Sequence, residues 1–145
     1  SLLPSATEIV CTVGGGPFLV ARSHECDYPA EYIKDVPAIT AAANGHFTTS
    51  REVHDATTNA VKDGKSLYSI DAALLKEVKP TLMVTQDVCE VCAVSLDCVS
   101  GAIYKAGLDP APQVITLGAH TLDGILTEMQ TVADAIGQGQ QGAQV

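Results

Sequence analysis

Positive charge is scarce in this chain: 8 Lys plus Arg stand against 17 Asp plus Glu, a formal net charge of -9 over 145 residues. A surface of that sign offers no footprint for phosphate backbones or anionic lipid, so no nucleic acid partner is expected. Long apolar runs are missing too. No stretch approaches the roughly 20 residues that cross a bilayer, so no membrane insertion is expected. The opening SLLPSATE lacks the basic start and apolar run of a signal peptide, and any export signal is expected to have been removed earlier or never to have existed. Cysteine is sparse and odd in number, at five, which excludes a disulfide framework as the source of stability. What the chain does have is an apolar fraction of 46%, enough to rule out wholesale disorder and to give one domain a core.

Short apolar runs alternate with longer segments of helical period, the pattern of strands joined by helices. SLLPS reads as a strand end, followed by Ser5-Ala6-Thr7-Glu8 as a capping box that opens a helix through Val13. Gly14-Gly15-Gly16-Pro17 stops that helix. FLVARS at 18–23 and VPAIT at 36–40 read as strands, as do TLMVT at 81–85 and QVITL at 113–117. Helices are predicted over 50–63, 71–78, 91–106 and 121–136. The β-α-β order predicts an α/β fold, a three-layer α/β/α sandwich with a mainly parallel sheet covered on both faces.

In such a sheet, ligands bind beyond the carboxyl ends of the strands, where loops meet the positive ends of helices. Three polar clusters follow strands directly: Ser5-Ala6-Thr7, the loop from His24 to Tyr28, and Gln86-Asp87 through Cys92. Parallel strands would bring all three to one edge. Cys89-x-x-Cys92 with His24-x-Cys26 supplies four ligands of the kind that hold tetrahedral zinc. A thiol pair at a helix start also suits redox chemistry, and equally both thiols suit the wall of a cleft. Cys11 and Cys98 read as packing residues.

Several partial motifs fail. Gly64-Lys65-Ser66 resembles the end of a phosphate loop, but Asn59 stands where the first glycine belongs. His24-Glu25 could begin a zinc-protease signature, but Tyr28 replaces the second histidine. A zinc deaminase needs His-x-Glu and Pro-Cys-x-x-Cys, whereas Glu25 adjoins His24 and Val88 precedes Cys89. No nucleophile, base and orienting acid can be read off, so no enzyme activity is expected. His54 reads as a solvated helix residue and His120 as a helix-start residue. His46 follows the third strand and could reach the same edge.

Four blocks in order, SLLPSATEIV, RSHECDYP, SLYSIDAALLKEVKPTLMVTQD and CEVCAVS, resemble the cobalamin-binding branch of the ABC-transporter substrate-binding proteins. That branch belongs to the helical-backbone, class III periplasmic binding proteins, which also bind ferric siderophores, haem and metal ions. The resemblance implies a two-lobed protein gripping its ligand between lobes, with this chain matching the N-terminal lobe. Residues 1–137 would be that substrate-binding lobe and 138–145 a flexible tail leading toward an absent second lobe. Carried across by motif, the ligand-binding residues are Ser5, Thr7, His24, Glu25, Cys26, Tyr28, Asp87, Cys89, Glu90 and Cys92. Helix starts at Ser5 and near Cys89 would offer N–H groups to carboxamide or carboxylate arms, and Tyr28 a flat surface to a macrocycle. His24 or a cysteine would approach the metal of the chelate. The implied ligand is cobalamin or a related corrinoid, with zinc as the alternative on His24, Cys26, Cys89 and Cys92. The implied partners are an ABC permease and a second lobe or partner chain, in a periplasmic or extracytoplasmic setting.

Overall fold

The computed structural model describes residues 1–43, 48–63, 66–87 and 94–145. Helix ends are set by local capping. Helix α1 (Pro4–Thr12) starts differently from the expectation: Leu3, not Ser5, is the extended N-cap, and no side chain caps it. Pro4 explains the shift, because its fixed φ suits the first helical position and its missing N–H is one that needs no partner there. Ser5 is thus an exposed first-turn residue and the Ser5–Glu8 box does not form. Gly14 follows at φ +86, a left-handed geometry that turns the chain away.

Beyond α2 (Ala30–Ile33), a reciprocal box does open α3 (Ser50–Asp63). Glu52 accepts from the N–H of Thr48 and Thr49, while Thr49 Oγ1 accepts from Glu52 N–H at 3.2 Å. These bonds hold the Glu52 carboxyl below its usual range. Asp71 caps α4 (Ala72–Val78) by accepting from Ala73 and Leu74 N–H. Helix α5 (Leu96–Ala106) starts later than the predicted 91, because Ser95 is its extended N-cap and accepts from Cys98 N–H; Gly107 closes it, and Thr121 caps α6 (Leu122–Ala135). Within the predicted tail, Gly139–Gly142 make a last helical turn, α7, with Gln130 Nε2 donating to Gly139 O.

Among the described residues the strands form two separate pairs in a mixed α/β fold, not the expected mainly parallel sheet. Strand β3 (Leu82–Gln86) pairs in parallel with β4 (Gln113–Leu117), Val84 opposite Ile115. Strand β1 (Thr40–Ala42) pairs with β2 (Tyr68–Ile70), and this pair is antiparallel, against the expectation of β-α-β order throughout. Segments 18–23 and 36–40 contribute a single parallel bridge, Arg22 to Ala38, instead of full strands. Proline is the reason. Pro17 stands within a 3-10 turn, Gly16–Phe18, that takes up the start of the first segment, and Pro37 has no N–H to donate to a ladder. Single bonds still align the pieces: Leu2 N–H donates to Val84 O, the Ser1 amine to Ala21 O, and Ile39 N–H to Arg22 O.

Two apolar clusters lie on opposite sides of β3, as the alternation of a strand dictates. Met83 joins Leu2, Ala21, Ile39 and Leu75 with the α5 residues Val99, Ala102 and Ala106. Val84 joins Leu3, Ala6 and Val10 of the α1 region with Val132 and Ala133 of α6. Cys11 is buried as expected, and Cys98 packs at the margin of the first cluster. Burial pushes both thiols up, which keeps them protonated and unreactive.

Candidate functional site

Beyond the carboxyl end of the aligned segments, residues far apart in the chain meet in one polar network. Thr7, on the first turns of α1, is fully buried. Its Oγ1 bonds back to Leu3 O, shares a hydrogen bond with Ser1 Oγ, and lies 3.0 Å from Cys26 Sγ. Cys26 is itself buried, and its N–H donates to Ser23 O.

Thr40, at the start of β1, serves the neighbouring loop. It donates its one hydroxyl hydrogen to Ser23 Oγ at 3.1 Å, so the same oxygen accepts from His24 N–H at 3.0 Å and meets His24 Nδ1 at 2.7 Å. That arrangement puts the imidazole proton on Nδ1 and leaves the Nε2 lone pair free. Nε2 is buried and makes no hydrogen bond, although Glu25 Oε1 stands 3.2 Å away. The His24 ring also tilts against Tyr68 of β2, with centroids 5.7 Å apart.

Arg22 holds the loop in shape. Its Nε donates to Ile33 O and Val36 O, and its Nη1 to Ser23 O and Cys26 O, all between 3.1 and 3.2 Å. Four charge-assisted bonds to carbonyls fix where His24, Glu25 and Cys26 stand. A cavity of about 30 Å³, the share of a single water, lies between Pro4, Ser23, Glu25, Thr40, Tyr68 and Val94. Val94 reaches it because Thr85 Oγ1, inside β3, donates to Val94 O.

The predicted site residues therefore divide. Thr7, His24, Glu25 and Cys26 are brought together; Ser5 is exposed on α1 outside the network. Tyr28 lies two residues beyond Cys26 and is 63% exposed. Asp87 is exposed at the end of β3, its N–H donating to Leu117 O. Cys89, Glu90, Cys92 and His46 lie outside the described residues. His54 and His120 are exposed. Among the described residues, no three His, Cys, Asp or Glu side chains gather to hold a metal ion. Cys26 and His24 instead direct their donor atoms to different threonines.

Ser23, Thr40, Arg22 and Tyr68 were not among the predicted site residues. Arg22 and Ser23 sit inside the quoted block RSHECDYP, and Thr40 ends a predicted strand, so position alone could have flagged them. Tyr68 likewise sits inside the quoted block SLYSIDAALLKEVKPTLMVTQD.

No protein-family model matches the chain, and no curated protein does. Solved structures do. A possible iron-binding (periplasmic solute-binding) protein from Staphylococcus epidermidis is 19% identical, with a TM-score of 0.65 over 99% of this chain and 43% of that one. The periplasmic heme-binding protein RhuT from Roseiflexus sp. RS-1 is 22% identical, with a TM-score of 0.59 over 97% of this chain and 41% of that one. The periplasmic heme-binding protein BhuT, in complex with two hemes, is 18% identical, with a TM-score of 0.58 and 97% and 41% covered. The shared property is the fold, and the chain spans about two fifths of the length of these structures.

Proposed function

We propose that the chain is the N-terminal lobe of an ABC-transporter-type solute-binding protein, and that its polar rim takes a corrinoid or similar metal chelate without turning it over. One observation carries this. Thr7, Ser23, His24, Cys26 and Thr40, drawn from three separate segments, join hydroxyl, imidazole and thiol groups at the strand ends, beside the exposed ring of Tyr28. Such a rim is already ordered by its own bonds, so a rigid ligand meets it at little cost in lost freedom. Tyr28 offers a flat apolar surface to a macrocycle, and the free Nε2 of His24 offers a lone pair to its metal once the exposed Glu25 carboxylate turns aside.

Likeness in fold to structures named as heme-binding and iron-binding supports the metal-chelate class. The choice of a corrinoid rests on the blocks HECDYP and TQDVCEVCAVS. The second lobe or partner chain belongs to the same proposal: α6 leaves Leu122, Ile125 and Leu126 exposed on successive turns, an apolar stripe suited to further protein. Work with a permease outside the cytoplasm follows from this class. No helix among the described residues is long and apolar enough to cross a membrane itself.

Zinc on His24, Cys26, Cys89 and Cys92 is the competing reading, and it requires Cys26 to leave Thr7. Titration of the purified chain with cyanocobalamin, hemin and zinc, followed by absorbance and thermal melting, separates the two. A corrin or Soret band shift with a raised melting temperature supports the proposal. Stabilisation by zinc alone, or by none of the three, overturns it.

A further inference from the structure

Acceptors crowd the rim, and the groups that could balance them stand elsewhere or are already engaged. With its proton on Nδ1, the His24 ring presents a lone pair at Nε2, which is buried without a hydrogen bond. Glu25 Oε1, 3.2 Å away, is an acceptor too. Two acceptors so close call for one donor between them. The Glu25 side chain is 60% exposed, so that donor can arrive from outside the protein. Asp27, in the same loop, and Asp87, at the carboxyl end of β3, are also exposed.

Positive charge is held away from this face. Arg22, two residues before His24, has its guanidinium engaged by four backbone carbonyls. Lys76 in the last turn of α4, Lys79 behind it and Lys105 in the last turn of α5 stand on the side where β3 and β4 begin. Lys34 pairs with Asp35 and Arg51 with Asp55, and α3 as a whole sets Arg51 and Lys62 against Glu52, Asp55 and Asp63. Among the described residues, no Lys or Arg pairs with Glu25, Asp27 or Asp87. Hydroxyls and helix N–H groups add little. Thr40 donates to Ser23, Pro4 has no N–H, and Thr7 N–H donates to Leu3 O.

We infer that Glu25, Asp27 and Asp87, together with the His24 lone pair, select the ligand by its arms: a chelate whose arms end in primary amides is admitted, and one whose arms end in carboxylates is turned away. The selection presupposes the rim as ligand face and adds how that face chooses. An amide NH2 has two hydrogens and can donate to Nε2 and to Glu25 Oε1 together. A carboxylate has none, and it meets like charges where a closing interface excludes water. Tyr28 takes the flat ring of either chelate, so the arms decide.

The test uses one macrocycle with two sets of arms, amide-armed dicyanocobinamide and carboxylate-armed dicyanocobyrinic acid, titrated by calorimetry. Cyanide fills both axial positions of each, so metal ligation by His24 plays no part. At low salt the amide form should bind at least about tenfold tighter. That ratio should fall by at least about threefold in roughly 0.5 M salt, which screens the carboxylates. Glu25→Gln combined with Asp87→Asn should lower it as much at low salt, while Asp109→Asn, beyond the far end of α5, should change it by less than about twofold. Equal binding of the two forms overturns this inference and leaves the rim as a ligand face; binding of neither overturns both. A ratio that Asp109→Asn lowers as far as the paired change assigns it to net charge and overturns the inference as well.

Discussion

At the carboxyl end of β3, hydroxyl, thiol and imidazole groups bond to one another around a space no larger than a water. At its amino end, the same strand looks onto an apolar groove about nine times that volume. The difference follows from what gathers at each end. Loops rich in backbone and side-chain donors must satisfy one another wherever they are buried, which makes the rim specific and rigid. The groove carries mostly side chains that seek burial, with Ser1, Lys79 and Thr81 the polar residues at its walls. The ligand proposed above, of mixed polarity, suits the first and not the second.

Four changes sharpen or break that contrast. The largest effect is expected at Leu75, fully buried on the groove side: Leu75→Ala should cost about 2–5 kcal/mol by urea unfolding, with chelate affinity of the folded chain unchanged. If affinity falls in step, the two ends act as one unit. Arg22→Ala acts on the rim. Losing four carbonyl contacts should cost about 3 kcal/mol and also weaken chelate binding, because the loop from Ser23 to Cys26 loses its brace. Retained affinity would show that the brace is only structural.

The Ser1 amine comes next. Folded, it titrates near 6 instead of its ordinary 8.0, so between these values the unfolded chain binds more protons. Stability should therefore rise with pH from 6 to 8 by on the order of 2 kcal/mol and level off above. Acetylation of the amine should remove the slope; a slope that survives acetylation assigns it to another group. The smallest change in stability is expected at the exposed ring: Tyr28→Ala should stay within about 0.5 kcal/mol, while chelate affinity drops by about 0.5–1.5 kcal/mol. An unchanged affinity would remove Tyr28 from the ligand surface.

How much of this was legible in the sequence depends on how local the deciding contact is. The starts of α4 and α6 and the end of α5 follow from Asp71, Thr121 and Gly107, each acting within a turn, and β3 and β4 from dense apolar runs, whereas the start of α5 was placed at 91 although Ser95 caps it at Leu96. The cap at Ser5 was misplaced because Pro4 takes the first helical position. Segments 18–23 and 36–40 have strand composition, but the ladder needs donors that Pro37 lacks and a neighbour that residues 1 and 2 only partly supply. Strand β2 is three residues long, too short for a period of two to register. At the rim, the expectation that polar loops after strands converge holds for Thr7, His24, Glu25 and Cys26. The partners that define their geometry, Ser23 and Thr40, emerge only from the tertiary fold.

Amide hydrogen exchange of the chain with and without cyanocobalamin bears most directly on the assignment of the rim as the ligand face. Slower exchange at Ser23 to Cys26 and at Asp87, with Leu19 and Leu82 unchanged, is the expected result. Protection confined to Leu19 and Leu82, or none anywhere under saturating ligand, would contradict it.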